Sequence, residues 1–278
     1  MSDGSPDVHG SPDVHRSPDV HRVYAICYGH RDARRGQHFH GYDERWDEPH
    51  PTAYYVWLAV SDRHTVVIDT GISPDRAGEL PYLDYLASPV ETLAAMGVAA
   101  GSVDHVVLTH LHYDHTGTAE AFGAARYVVQ RSELDYWTGP WAERIERERW
   151  LVSDRDMKHL LGARDAGRVR LVDGDAEIVP GLSVHHVGGH TAGMQVVRVR
   201  TARGHVVLAS DASHFYENVE EDRPFAILHS MTGMYGAFDR IKELAGGPAL
   251  VVAGHDPEVL RRFPRLPGPL GDRVVAVA

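Results

Sequence analysis

The stretch from 109 to 117 does most to decide what this chain can be. It reads Thr-His-Leu-His-Tyr-Asp-His-Thr-Gly and follows directly on Val103–Leu108, which has the look of a buried strand. An extended segment puts residues i and i+2 on one side, whereas a helix puts them on opposite sides. His110 and His112, just past a strand end, can therefore share one metal ion. The turn that follows carries Asp114 and His115 toward a second position. This is a different device from two histidines spaced i, i+4 on a helix.

Three more ligand-type residues stand at the ends of apolar runs. His190 lies in Val187-Gly188-Gly189-His190-Thr191, Asp211 follows Leu208-Ala209-Ser210, and His255 follows Val252-Ala253-Gly254. Sheet proteins build sites where strands deliver polar residues at their ends, and the glycines allow close backbone approach. Taken singly, His190 and His255 also fit hydrogen-bonded loop histidines, and Asp211 fits a cap. Taken together, five histidines and two aspartates make a nitrogen and oxygen donor set suited to Zn first, with Mn, Fe(II) or Co as alternatives. The chain holds 20 His in 278 residues, so histidine is plentiful, but its placement matters more than its number. Seven ligands are too many for one tetrahedral ion. Two ions about 3.5–4 Å apart, bridged by a carboxylate and a hydroxide, fit the count.

The remaining sequence sets the frame. Residues 5–22 write the hexad Ser-Pro-Asp-Val-His-Gly/Arg three times. Proline in every unit suits neither helix nor ladder strand, so residues 1–22 read as a disordered tail, with weak metal collection through His9, His15 and His21 as a lesser option. Residues 23–278 read as one domain. Strands are expected at Val23–Cys27, Tyr54–Val60, Thr65–Asp69, Val103–Leu108, Ala125–Gln130, Arg168–Val172, Ala176–Val179, Leu182–Val187, Gln195–Thr201, His205–Ala209 and Ala249–Ala253. Tyr28–Thr52 reads as a long loop. Ser88-Pro89-Val90-Glu91 has the form of a capping box opening a helix to about Met96. Residues 132–161 and Met234–Leu244 read as helical. Strands in both halves with helices between them suit two sheets with helices outside. The net charge of −11 argues against nucleic acid and anionic membrane as partners. A single cysteine, Cys27, rules out an intramolecular disulfide, and with no secretory signal it points to the cytoplasm.

With these marks in order, from Asp69-Thr70-Gly71 through His110-x-His112-x-Asp114-His115 to His190, Asp211 and His255, the chain resembles the metallo-β-lactamase superfamily. Within it, the chain is most similar to the N-acyl homoserine lactonase group, on His110–Gly117, Ser210–Ser213, Tyr216-Glu217-Asn218 and Gly254-His255-Asp256. The resemblance implies an α/β (α+β) fold, a four-layer αββα sandwich with the metals at one edge. It implies that His110, His112 and His190 hold one metal, that Asp114, His115 and His255 hold the other, and that Asp211 bridges. Asp69 is either a turn former or a residue that orients a ligand histidine. The group carries a tyrosine three positions after the bridging aspartate. Here that position is His214, with Tyr216 two further on, so either one is a candidate substrate contact. His38, His40 and Trp46 are candidates for a pocket wall. The implied activity is opening of an N-acyl homoserine lactone or related small lactone by a metal-activated hydroxide, with Asp114 as proton shuttle. A hydrolase of another cyclic amide or imide, ester or thioester is the alternative. The partner is then a small molecule, and since related lactonases are often dimers, a homodimer comes with the resemblance. A glyoxalase-II-like thioesterase would need a C-terminal helical domain, for which the 23 residues after His255 are too few.

Overall fold

Strands buried on both faces lose the alternation of half-exposed strands and read as continuous apolar runs. The segment Thr52–Val60 is the clearest case, buried along its length except at Val60. Tyr55, Trp57 and Ala59 enter one apolar cluster, and Tyr54, Val56 and Leu58 enter another on the opposite face. Such a strand needs packing on both sides, which demands layers.

A computed structural model describes residues 19–278. In chain order its strands are β1 (Arg22–Arg31), β2 (Thr52–Val60), β3 (Thr65–Ile68), β4 (Asp84–Tyr85), β5 (His105–Val107), β6 (Arg126–Gln130), β7 (Val169–Val172), β8 (Ala176–Val179), β9 (Leu182–His186), β10 (Gln195–Thr201), β11 (Gly204–Ser210), β12 (Val251–Ala253) and β13 (Val274–Ala276). One sheet runs β13-β1-β2-β3-β5-β6-β7, with β4 paired to β1, and the second runs β12-β11-β10-β9-β8. The inner faces meet in a cluster that includes Trp57, Val66 and Ile68 from the first sheet and Val197, Val199 and Leu208 from the second. The outer face of the first sheet packs Val56, Val67 and Tyr127 against helical Leu93 and Leu160. The outer face of the second packs Val196 and Val207 against Met234, Phe238 and Ile241 of the helix Met231–Leu244. The result is the four-layer αββα sandwich. Among the described residues no helix is long and apolar enough to cross a membrane.

Several local expectations change. Of the expected tail, residues 1–18 lie outside the described residues, but its last four pack on the domain. His21 is buried, Arg22 already pairs with Val60, and Asp19 binds Ser61 and Arg63. β1 does not stop at Cys27. A register shift between Cys27 and Gly29 lets it continue to Arg31, and Tyr28 is buried in the core rather than looped out. Ser88 precedes the helix Pro89–Ala95 but its side chain makes no capping hydrogen bond, so the start rests on proline at the first position. The helical region after 131 is broken at Gly139-Pro140, which cannot continue a helix, into Arg131–Trp137, Pro140–Arg144, a 3-10 segment Glu146–Leu151 and Asp154–Asp165. The last long helix starts at Met231, where Ser230 accepts from the Gly233 N–H.

The loop between β1 and β2 is fastened by charge. Arg35, buried, donates to Asp43 Oδ2 (2.9 Å) and in a fork to both Glu217 oxygens (2.7 and 2.6 Å). Arg223 closes the square on Glu217 (2.7 Å) and Asp43 (3.0 Å). Arg35 holds the Glu217 carboxyl below its usual range. Burial works against the Asp43 charge, but the Arg45 N–H, Arg35 and Arg223 outweigh it and lower that group too. Carboxylates lowered by folding contribute stability that is present above their unfolded values, near pH 4, and is lost as pH falls through the folded ones. Arg35→Met is therefore expected to lower the thermal midpoint by roughly 5–10 °C at pH 7. The gap to wild type should narrow steadily below about pH 4. Calorimetric scans across pH check this, and a gap independent of pH would refute it.

Candidate metal centre

The site assembles where strands of both sheets end. Beyond β3 the chain turns at Asp69, a left-handed residue with φ of 58°. Beyond β5 the chain bends at Thr109, and His112, extended, precedes a single helical turn, Tyr113–Thr116. At the end of β11, Ser210 also turns left-handed (φ 45°) and delivers Asp211. β12 delivers His255 through Gly254, where an added Cβ would lie 2.4 Å from the Ser210 carbonyl oxygen. Only glycine admits that approach of the two strand ends. His190 comes from the β9–β10 connection, and the Gln195 N–H donates to the Thr109 carbonyl (3.0 Å), pinning one sheet to the other beside the site.

Three overlapping donor groups meet here. His110, His112, His190 and Asp211 offer atoms within 4.8 Å of one another, as do Asp114, His115 and His255, and as do Asp211, His214 and His255. Asp211 Oδ2 lies 3.3 Å from His190 Nε2 and 3.8 Å from His110 Nε2. Its Oδ1 lies 3.2 Å from His115 Nε2 and 3.1 Å from His255 Nε2. Asp114 Oδ2 is 3.6 Å from His115 Nε2 and 3.7 Å from His255 Nε2. His112 Nδ1 is 3.1 Å from His190 Nε2.

The residues fit a pair of metal ions. His110 Nε2, His115 Nε2 and Asp211 Oδ1 are buried without a hydrogen-bond partner, although ligand-type atoms lie close by. Buried polar atoms are otherwise almost always satisfied, so these point to something other than protein between them. The tautomers agree. His190 Nδ1 bonds the Ile227 carbonyl and His255 Nδ1 the Ala53 carbonyl, each at 2.8 Å. Carbonyls only accept, so each Nδ1 carries the proton and each Nε2 presents its lone pair inward. Burial, reinforced by neighbouring imidazoles, holds His110 and His112 well below the ordinary histidine range, in the neutral form that ligates. Burial opposes charge on His115 and His255 as well, but Asp211 and Asp114 outweigh it and raise both. Burial also opposes the Asp211 carboxylate, yet His214, His255 and His115 hold it well below its usual range.

A buried frame holds these side chains in place. Asp69 Oδ2 accepts from His115 Nδ1 (2.8 Å), so the residue is more than a turn former, and its carboxylate also takes the Thr109 N–H and hydroxyl (both 2.8 Å) and Ser210 Oγ (3.1 Å). Glu133 was not singled out in the sequence. Its buried carboxylate accepts from Leu111 N (3.0 Å), Gly193 N (2.8 Å) and Trp137 Nε1 (2.9 Å), tying the His110–His112 segment to the His190 loop. In sequence it looks like an ordinary residue in the first turn of a helix, and nothing there signals the two loops it joins.

The two candidates after Asp211 part company. His214 points into the site: its Nε2 lies 2.8 Å from Asp211 Oδ2, and its ring stacks on Phe225 at 3.4 Å. Burial lowers its pKa to about 3. Tyr216 does not reach the site. It is the first residue of the helix Tyr216–Glu221, which turns its ring into the inter-sheet core under the Arg262 guanidinium (3.4 Å). Of the expected wall residues His38 lines the cavity, while His40 and Trp46 are exposed and do not.

The cavity over the donors has a volume of about 190 Å³ and opens to solvent, room for a small molecule that extends out of its mouth. Trp150, Leu151, Phe225 and Ile227 form an apolar wall; Arg31, Tyr54, Tyr82 and Tyr113 line a polar one.

A family model described as Metallo-beta-lactamase superfamily matches residues 49–256. An N-acyl homoserine lactonase from Bacillus sp is 27% identical over 219 residues, covering 73% of this chain and 81% of the relative. Another from Bacillus cereus is 29% identical over 220 residues, with the same coverage of 73% and 81%. A solved structure of an N-acyl homoserine lactone hydrolase, with the product N-hexanoyl-L-homoserine bound at its catalytic metal center, aligns with a TM-score of 0.74 at 20% identity, covering 91% of this chain and 99% of that one.

Proposed function

The chain belongs to the metallo-beta-lactamase superfamily, and from that premise we propose that it is a dinuclear metal-dependent hydrolase that opens a small lactone, with N-acyl homoserine lactones the leading class. The observation that carries the reading is Asp211, whose two carboxylate oxygens face two separate groups of inward-turned imidazoles. In this reading His110, His112 and His190 hold one ion, Asp114, His115 and His255 hold the other, and Asp211 joins them. Zinc is the ion we assign, on the nitrogen-rich donor set. Two such ions supply an acidified water as nucleophile and Lewis acidity toward a carbonyl.

The chain's own groups do the rest. The Phe225, Ile227, Leu151 and Trp150 wall excludes water and seats the hydrocarbon part of the substrate. His214 lines the cavity with its Nε2 on Asp211 and its ring stacked on Phe225; kept neutral by burial, it orients Asp211 and packs against the substrate rather than supplying a proton. Asp114, at the same floor, carries a proton between nucleophile and leaving group. Support for a lactone over other cyclic substrates comes from the lactonase relatives. The test is acid release, followed with a pH indicator, on acyl-homoserine lactones of several lengths, γ- and δ-lactones, a β-lactam, a cyclic imide and a thioester. Chelator-sensitive opening of lactones alone is expected. Turnover of the imide or thioester with silence on lactones would overturn the substrate class and leave the metal centre standing.

A further inference from the structure

The polar wall of the cavity contains a cation that the lactone chemistry leaves idle. Arg31 is the last residue of β1, paired with Thr52, and both line the cavity. Its neighbours are matched with acids: His30 with Asp84 (3.1 Å), and Arg35 with Asp43 and Glu217. Arg31 has no ion pair among the described residues, and its Nε is buried with no hydrogen-bond partner. The guanidinium lies over the Tyr82 ring, 5.6 Å from its centroid, which holds it against the wall. The strand register fixes it beside the centre: Thr52, its partner, adjoins Ala53, whose carbonyl bonds the His255 ring, and Tyr54, whose ring meets His255 edge-on at 5.1 Å.

A guanidinium that lines a cavity with no carboxylate beside it among the described residues is left to pair with what enters that cavity, and its planar fork matches a carboxylate. On a protein of net charge −11, long-range steering of anions is unfavourable, so a cation kept in this wall acts by contact. A simple alkyl chain would leave it unused. Building on the lactonase reading, we propose that Arg31 recognises a carboxylate on the substrate, remote from the ring, and that the preferred substrate is an anionic lactone rather than one ending in a plain hydrocarbon. The apolar wall then seats the carbon chain between ring and carboxylate.

The experiment compares N-adipoyl-homoserine lactone, which ends in a free carboxylate, with its methyl ester, on the metal-loaded full chain. In wild type kcat/KM for the acid should exceed that for the ester by about tenfold or more, chiefly through KM. In Arg31→Met the ratio should fall to near one, and Arg31→Lys should recover part of it. A wild-type ratio of one or less, or the same ratio in Arg31→Met, overturns the proposal. If neither lactone opens, the lactonase reading fails, and binding decides separately. Calorimetry with the cyclopentylamide of adipic acid and its methyl ester, which have no lactone, should show the same preference for the acid and its loss in Arg31→Met; equal binding overturns it. Thermal midpoints of the variants exclude misfolding as the cause.

Discussion

Asp211→Ala is expected to leave fewer than two ions per chain and to lower lactone hydrolysis by about 10³-fold or more, about 4 kcal/mol in the barrier. The size follows from position. Asp211 is the one carboxylate with an oxygen in each donor group, at 3.3 Å from His190 Nε2 on one side and 3.1 Å from His255 Nε2 on the other. Without it each group keeps only three donors, and nothing holds two ions at a fixed separation. The site also loses the negative charge that offsets a crowd of buried histidines, so metal-free protein should retain its fold poorly at low pH. Metal content by inductively coupled plasma spectrometry, alongside initial rates, reads the outcome. Two ions per chain with unchanged turnover would remove the bridging role. Excess metal should not rescue the rate, because the geometry itself is gone.

The site was legible in the sequence because polar ligands interrupt apolar runs. Asp211 and His255 follow strand ends, His190 lies in the short connection after β9, and a strand end in a layered fold has few places to go. The apolar run Tyr54–Val60 announced a strand in the same way, and the structure adds that it is buried on both faces. What the sequence hid is what depends on rotation or on distant partners. His214 and Tyr216 are two residues apart, but the chain bends at His214 and Phe215 before a helix opens at Tyr216, and that change of direction sends Tyr216 into the core. Arg31 lies in a polar stretch that reads as loop. A register shift at Cys27/Gly29 keeps it in β1, and that alone brings it to the cavity. Glu133 was hidden because its three donors come from residues 111, 137 and 193, two of them on loops whose meeting is a product of the whole sandwich.

The second large effect concerns a residue that touches no ion. Asp69→Asn is expected to weaken the ion held by Asp114, His115 and His255 by about 10–100-fold, while the ion of the His110 group keeps its affinity. Asp69 is fully buried, and its carboxylate accepts from Thr109 N, Thr109 Oγ1, Ser210 Oγ and His115 Nδ1. An asparagine of the same shape has one acceptor and one donor end. If its oxygen stays on the Thr109 N–H, its amino group faces His115 Nδ1. That nitrogen must then accept, so the ring proton moves to Nε2, the atom that faces Asp211 and Asp114 at 3.2 and 3.6 Å. A protonated Nε2 cannot ligate. If the amide flips instead, the buried Thr109 N–H loses its acceptor, which costs about 1–3 kcal/mol and loosens the segment carrying His110. The first arrangement, which keeps the buried Thr109 N–H satisfied, is the one expected, and it weakens the second ion. The signature separates this variant from Asp211→Ala: at limiting metal it should carry about one ion per chain with little activity, and raising the metal concentration should restore both. Two ions bound with wild-type affinity would show that Asp69 only turns the chain.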